Sequence, residues 1–113
     1  MQNSITLNQN KDFLRLYYRG KSCVKPALVV YSMKNRVGIC RLGITTSKKV
    51  GGAVRRNRCR RVIRAAWQNV LKKHEFQGSY DFVFVARVKT GLVKSTQVEK
   101  EMVQCLRKLG VIK

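Results

Sequence analysis

The amino-acid sequence predicts one α+β domain covering residues 1–113, an α-β sandwich in which three helices pack on a small central sheet of about four strands. Three observations predict this class. A chain of 113 residues with a hydrophobic fraction of 44% is large enough for one core. Segments with helical periodicity alternate with short runs rich in β-branched residues, in the order α-β-β-(β)-α-β-α. Glycine, proline and asparagine residues mark the boundaries between these segments.

The first half of the chain contains one predicted helix and two predicted strands. Asn10 is a candidate cap for a helix with an apolar face, and Gly20 is a natural end for that helix. The β-branched run 27–33 predicts the first strand, and residues 34–36 predict a turn. Residues 37–47 predict a second strand. Its glycines allow this strand to be split in two, and the optional third strand in the predicted order stands for that split.

The second half contains a long helix, a buried strand and a final helix. Residues from about 53 to 73 place apolar side chains at i, i+3, i+4 and i+7, which predicts an amphipathic helix. The nearly continuous apolar run 80–88 predicts a central strand that is covered on both faces. The last helix is predicted to begin near Thr96, with Glu99 completing a capping box, and to end at Gly110.

The charge of the chain indicates a polyanionic partner. Lys and Arg number 25 against 5 Asp and Glu, which gives a net charge of +20, and self-repulsion of this size destabilises a compact state. Nucleic acid or an anionic membrane surface would supply the counter-charge, and nucleic acid is favoured. No apolar run approaches the roughly 20 residues of a membrane span. Because the polar segment 1–10 also lacks the apolar core of a signal peptide, we expect a cytoplasmic protein.

The basic residues are concentrated in segment 48–67, which has no acidic residue. On a helical wheel of about 100° per residue, Arg56 and Arg60 lie about 20° and 60° from Ile63, on the side of the apolar stripe. Burying two unpaired guanidinium groups is very costly. We therefore expect the first turns of the long helix to project past the edge of the sheet, so that both arginines overhang an open cleft.

The residues that lead into this helix favour an anion site. Lys48 and Lys49 precede Gly51 and Gly52, and glycine lets the backbone approach a ligand closely. The free N–H groups and the positive dipole end of a helix attract phosphate. A face that is merely solvated normally mixes both signs of charge, so the pattern points to phosphate binding.

The run 48–64, KKVGGAVRRNRCRRVIR, resembles the Arg-Asn-Arg signature of the bacterial ribonuclease P protein subunit. The resemblance extends over nearly the whole chain, through Tyr17 and the further segments 10–13, 19–22, 28–31, 41–49 and 80–87. Two positions depart from the family pattern. Gly52 stands where the family usually has asparagine, which removes a helix cap, and Arg55 stands where an apolar residue is common.

The resemblance implies an unusual left-handed βαβ crossover and a protein that assists a catalytic RNA in removing the 5′ leader of precursor tRNA. It assigns RNA contacts to the signature helix and the preceding loop, here Lys48, Lys49, Arg55, Arg56, Asn57, Arg58, Arg60, Arg61 and Arg64. It assigns the single-stranded leader to a cleft between the sheet and the first helix, here Phe13, Tyr17 and Tyr31. The implied partners are ribonuclease P RNA and precursor tRNA, with neither DNA nor membrane, and Mg²⁺ enters through the RNA subunit.

The sequence shows no catalytic or metal-binding motif of its own. Its acidic residues are scattered, and its only histidine, His74, ends a basic helix where a solvated position is expected. The four cysteines have no CxxC pair and are expected to be free thiols rather than zinc ligands. We therefore expect no catalytic residue and no tightly bound metal in the chain, with the bond-breaking chemistry carried by RNA.

Three other functions fit parts of the pattern. A basic ribosomal or RNA-chaperone protein would use the same helix without preferring precursor over mature tRNA. A helix-turn-helix DNA regulator needs a short turn between two helices, whereas the glycine-rich lead-in here follows a strand. A stand-alone nuclease would cleave precursor tRNA without an RNA subunit.

Overall fold

A computed structural model describes residues 4–113 and confirms the α+β class. The helices are α1 (Asn10–Arg19), α2 (Ala53–Lys73) and α3 (Ser95–Lys108). The strands are β1 (Ser4–Thr6), β2 (Lys21–Lys25), β3 (Leu28–Lys34), β4 (Cys40–Thr45) and β5 (Tyr80–Ala86). Short 3₁₀ turns follow β4 at Lys48–Val50 and β5 at Val88–Leu92.

The strands form one mixed sheet in the order β1-β4-β5-β3-β2. The pairs β1–β4 and β4–β5 are parallel, while β3–β5 and β2–β3 are antiparallel. Parallel neighbours need a crossover connection, and α2 supplies it between β4 and β5. The segment that leads into α2 therefore starts at the carboxyl end of β4. The left hand implied for this crossover stays a prediction.

The two faces of the sheet contribute to two separate cores. Alternation along β5 directs Phe82 and Phe84 to one face, where their rings lie 5.3 and 5.4 Å from that of Trp67 on α2. Val83 points to the opposite face and packs with Leu16 of α1 in a smaller cluster. Thus α2 and α3 cover one face, and the short helix α1 covers part of the other.

The sheet has five strands where about four were predicted, because two edge strands carry little hydrophobic pattern. The three residues of β1 are exposed or half-buried, and they lie in the polar segment 1–10, whose first three residues are outside the described part of the chain. In β2 only Cys23 is buried, so the strand does not alternate clearly. The split suggested for 37–47 is not what supplies the extra strand.

Several element ends differ from the predictions. β4 begins at Cys40 because Gly38, at φ +86°, lies in a turn. β5 ends at Ala86, and the next residues start a 3₁₀ turn. The first residue of α1 is Asn10, preceded by Gln9 as its cap without a side-chain hydrogen bond, so the predicted cap is wrong.

The predicted capping box of α3 is also absent. The helix begins at Ser95, its cap residue Lys94 makes no side-chain capping bond, and α3 ends at Lys108 just before Gly110. Glu99 accepts hydrogen bonds from Asn69 at 2.9 Å and Lys73 at 3.0 Å, both on α2. A tertiary contact has therefore replaced the local one. No helix within residues 4–113 is both long enough and apolar enough to cross a membrane.

Candidate nucleic-acid interface

The first turns of α2 project beyond the core, as the sequence predicts. The buried residues of α2 begin at Cys59 and continue along one stripe to Leu71, so residues 53–58 contribute none. Val54, in the first turn, is 81% exposed. The overhang arises because the apolar stripe starts late in the helix, and it places the densest basic segment in solvent.

The entrance to α2 carries unshielded positive charge. Lys48 and Lys49 are exposed on the 3₁₀ turn. Gly51 adopts φ +135°, and a Cβ there would lie 2.7 Å from Cδ of Arg55, so glycine lets that side chain fold back over the turn. Gly52 caps the helix without a side-chain hydrogen bond, and the first turn contains no acidic residue. The N–H groups of this end are left for a ligand.

Arg60 overhangs a groove between α2 and the β1–β4 edge of the sheet. The groove measures about 320 Å³ and is shared by Arg60, Arg64 and the apolar side chains of Leu42 and Trp67. Nη1 of Arg60 donates to Asn57 Oδ1 at 3.1 Å, which orients the guanidinium without neutralising it. This placement agrees with the prediction that a stripe-side arginine opens onto a cleft.

Arg56 differs from Arg60, although the wheel places both on the stripe side. Its side chain is half-buried, it does not line that groove, and its buried Nε has no hydrogen-bond partner among residues 4–113. The Nε side of this guanidinium therefore lies against protein, whereas Arg60 lines an open groove. An unsatisfied buried donor of this kind is costly in the free protein.

The other flank of α2 faces α3. Arg58 and Arg61 are exposed and line a second groove on that side. Nε of Arg58 donates to the carbonyl oxygen of Gly91 at 2.8 Å, which ties the arginine to the 3₁₀ turn after β5. The structure thus brings the nine predicted RNA contacts together on one continuous segment but distributes them over two flanks: Lys48, Lys49, Arg55, Arg56, Asn57, Arg58, Arg60, Arg61 and Arg64.

The acidic side chains are placed away from the start of α2. Within residues 4–113, the lysines and arginines that form ion pairs with acidic side chains are Arg15, Arg41 and Lys73. Glu101 is buried and accepts from the backbone N–H of Ala27 at 2.9 Å. Since no predicted RNA contact is paired with a carboxylate, the charge of this surface is available to a polyanion.

A buried carboxylate holds α1 on the sheet. Asp81 of β5 accepts hydrogen bonds from Arg41 of β4, Arg15 of α1 and Asn35, all at 2.7–2.8 Å. Burial acts to raise the pKa of Asp81, but the hydrogen bonds from Arg41 and Asn35 and the charges of Arg41 and Arg15 lower it below the ordinary value. The ionised carboxylate therefore fixes the position of α1, which carries two of the predicted leader residues.

The three predicted leader residues lie between α1 and the sheet. Phe13 packs over Gly43 of β4, where a Cβ would lie 2.5 Å from the ring carbon Cζ. The rings of Tyr17 and Tyr31 meet edge to face with centroids 5.0 Å apart. Tyr17 is 37% exposed and Tyr31 is half-buried, so both rings are partly accessible beside α1.

Thr45 is a further neighbour of this cleft, and no leader-site prediction from the sequence includes it. The hydroxyl of Tyr17 lies 3.4 Å from Oγ1 of Thr45. Alternation along β4 puts Thr45 on the same face as Gly43, and this periodicity was the signal that would have found it. The hydroxyl adds a polar group to an otherwise aromatic surface.

The described residues offer little to a metal ion. No three His, Cys, Asp or Glu side chains within residues 4–113 lie close enough together to hold one. The four cysteines are buried, unpaired thiols, as expected. His74 is half-buried at the end of α2 rather than fully solvated. Burial acts to raise the pKa of Glu99, but hydrogen bonds from Lys73 and Asn69 and electrostatic interactions with Lys73 and His74 lower it below the ordinary value.

Comparison with known proteins gives consistent matches over nearly the full chain. A family model described as Ribonuclease P matches residues 1–110. The "Ribonuclease P protein component" of Pelotomaculum thermopropionicum is 42% identical, covering 93% of this chain and 92% of that protein. The protein of the same description from Clostridium botulinum strain Loch Maree is 41% identical, covering 93% and 94%.

Solved structures match as well. The RNase P protein of Staphylococcus aureus is 32% identical with a TM-score of 0.81, covering 96% of this chain and 97% of that one. The RNase P protein of Thermotoga maritima is 28% identical with a TM-score of 0.75, covering 88% and 92%. These structures support the arrangement of helices and sheet described above.

Proposed function

This chain belongs to the ribonuclease P protein family, and from that premise we propose that its basic α2 segment binds the ribonuclease P RNA while its aromatic cleft binds the single-stranded 5′ leader of precursor tRNA. Membership makes the chain the protein subunit of an endoribonuclease that acts in tRNA processing, with ribonuclease P RNA as its partner. The assignment of surfaces to the two RNAs is the step we add.

The overhanging start of α2 is the observation that best supports an RNA-subunit surface, by which we mean the basic α2 segment proposed to bind the ribonuclease P RNA. None of residues 53–58 is fully buried, and the first turn holds no acidic side chain. Arg60 and Arg64 extend this surface along one groove. Phosphate contacts of this kind are largely independent of sequence and weaken with salt, because each contact releases counterions.

The leader surface follows from the accessible aromatic rings on the α1 side of the sheet. The rings of Tyr17 and Tyr31 meet edge to face and are both partly accessible, and the Tyr17 hydroxyl lies beside that of Thr45. Stacking on aromatic side chains suits a single strand of variable sequence, because every base has a π-face. Phe13 is set deeper, over Gly43, and we assign it to the floor of the cleft.

In the proposed function the RNA subunit cleaves the phosphodiester bond, and the protein contributes no catalytic group. The carboxylates of Asp81, Glu99 and Glu101 are committed to hydrogen bonds within the protein. In this proposal Mg²⁺ is held by the RNA subunit, and the protein neutralises backbone charge and positions the leader. The complex would act in the cytoplasm, with precursor tRNA rather than DNA or membrane as the second partner.

Reconstitution with the RNA subunit at about physiological Mg²⁺ tests the leader role. The wild-type protein should raise affinity for precursor tRNA more than for mature tRNA, and Tyr17→Ala should weaken precursor binding by about 1–3 kcal/mol, in the range of one stacked base. Tyr18→Ala is the matched control, since Tyr18 is 83% exposed on the same helix and outside the cleft.

Two results would contradict the proposal. If Tyr17→Ala weakened precursor and mature tRNA equally, the cleft would not bind the leader. If the wild-type complex bound precursor tRNA no more tightly than mature tRNA, the chain would behave as a general RNA-binding protein. That outcome would favour the basic ribosomal or RNA-chaperone protein considered from the sequence. The family match does not favour that alternative.

A further inference from the structure

We propose that the groove between α2 and α3 binds a second stretch of the sugar-phosphate backbone of the ribonuclease P RNA. The inference rests on the proposed function, since it extends the RNA-subunit surface of α2 onto another helix. The groove has a volume of about 550 Å³ and is lined by side chains of α2, between Arg58 and Ala65, and by residues 93–96 at the start of α3.

Three cationic side chains from two helices converge on this groove. Arg58, Arg61 and Lys94 are all exposed, and within residues 4–113 none forms an ion pair. The bond from Arg58 Nε to Gly91 holds one guanidinium in place and leaves its two Nη groups for a ligand. Cations held close together without counter-charge suit a polyanion.

The nearest acidic side chain on α3 does not cancel this charge. Glu99 lies about one turn beyond the groove lining on α3, and it is bonded to Asn69 and Lys73, about one and two turns beyond the lining on α2. These bonds join α2 and α3 outside the groove lining, so the carboxylate of Glu99 is committed to partners other than the three cations. The absence of the predicted capping box thus leaves the start of α3 without an anion of its own.

The start of α3 also favours binding of a phosphate group, although a helix start alone would not make a binding site. The cap residue Lys94 makes no side-chain capping bond, and the first turn has no acidic residue. The free N–H groups and the positive dipole end of the helix add to the field of the three cations. Ser95 and Thr96 bring hydroxyl groups to the same edge.

The lining indicates backbone recognition rather than base recognition. Its apolar floor consists of Val62, Ala65 and Val93, and it contains no aromatic ring on which a base could stack. The groove also lies on the α2–α3 side of the sheet, whereas the leader cleft lies on the α1 side. We therefore assign the groove to the RNA subunit.

Two substitutions, each with a matched control on α3, test the proposal. Lys94→Ala removes one groove cation, and Lys100→Ala removes an exposed cation further along the helix. Thr96→Glu places a carboxylate in the groove at the first turn of α3, and Gln104→Glu adds the same charge at an exposed position outside the groove. The measurements are the Kd for the transcribed RNA subunit over a series of salt concentrations, the Kd of the reconstituted complex for precursor tRNA, and the melting temperature of each protein.

Lys94→Ala should raise the Kd about tenfold and reduce the salt slope by about one, as expected for one lost phosphate contact. Thr96→Glu should raise the Kd at least as much while the melting temperature holds or increases, because a carboxylate stabilises a helix start. Each control should stay within about twofold of wild type.

The remaining outcomes would overturn the proposal. Groove variants that bind like their controls would show that no phosphate lies there. Weaker binding accompanied by an equal loss of melting temperature would make the effect one of folding. Weaker binding of precursor tRNA alone would assign the groove to substrate. Failure of the proposed function looks different, because Arg60→Ala, on the other flank of α2, would then also bind the RNA subunit like wild type.

Discussion

Arg41 and Asp81 are direct partners in the parallel β4–β5 ladder, and their side chains form two hydrogen bonds of 2.8 Å, Nε to Oδ1 and Nη2 to Oδ2. The bidentate geometry is the strong form of an ion pair. Arg15 of α1 adds a third bond, of 2.7 Å, to Oδ2. One carboxylate therefore joins two strands and a helix.

Replacing Asp81 with Asn should lower the free energy of unfolding by about 1–3 kcal/mol, because Arg41 and Arg15 lose a charged acceptor while keeping an amide oxygen. Chemical denaturation measures the change. Glu75→Gln is the control, since Glu75 is exposed and outside this cluster, and it should change stability by less than about 0.5 kcal/mol. Equal effects of the two substitutions would show that the cluster contributes nothing specific.

Stability should fall in acid, and Asp81 should account for part of the fall. Because its pKa is lower in the folded than in the unfolded chain, its contribution is complete above the ordinary value of 3.8 and disappears as pH drops through the folded value. Unfolding free energies measured from about pH 6 to about pH 2 should therefore decline less steeply in Asp81→Asn than in wild type. Parallel declines would contradict the assignment.

The sequence predicted α2 well and Asp81 poorly, for the same physical reason. The six buried side chains of α2 recur at helical spacing, so a local pattern contains the information. Asp81 is a single acid in an apolar run, and its partners Arg15, Asn35 and Arg41 come from other elements. Only the strand register and the docking of α1 bring those donors together.

Gly43 is the close-approach position that lets α1 lie against the sheet. Gly43→Ala should destabilise the protein by about 1–3 kcal/mol, because the new methyl group would overlap the ring of Phe13. The backbone of Gly43 does not adopt positive φ, so strain of the main chain would not explain the loss.

A double-mutant cycle isolates this contact. Phe13→Leu alone should also destabilise, but Gly43→Ala should be less costly in the Phe13→Leu background than in wild type. Unfolding free energies of the four proteins give the coupling. Additive effects would show that the two residues do not press on each other.

The candidate interface was predictable in composition but not in the grooves that its arginines line. Helical spacing put Arg56 and Arg60 on one side, yet Arg60 lines an open groove and Arg56 Nε is buried. Lys94 gave no signal, because its groove depends on α3 packing beside Arg58 and Arg61. Relations between helices that are distant in sequence are absent from any local pattern.

Arg60→Ala should weaken binding of the RNA subunit by about 1–3 kcal/mol, the range of a charge-assisted hydrogen bond, and should reduce the salt dependence of binding. Lys72→Ala is the control, because Lys72 is an exposed cation at the opposite end of the same helix. Equilibrium binding at several salt concentrations separates the two. A similar loss for both variants would mean that only the net charge matters.

Arg56→Ala should separate binding from stability. In the free protein the buried Nε of Arg56 has no partner among the described residues, so removing it should leave the free energy of unfolding unchanged or raise it by about 1 kcal/mol. In the complex the same guanidinium is expected to find a phosphate, so affinity for the RNA subunit should fall by about 1–3 kcal/mol. Denaturation and binding are measured on the same preparation. A variant that is less stable but binds RNA normally would show that Arg56 is a packing residue. A variant that is at least as stable as wild type but binds RNA more weakly would show that Arg56 contributes to RNA binding and lowers the stability of the free protein.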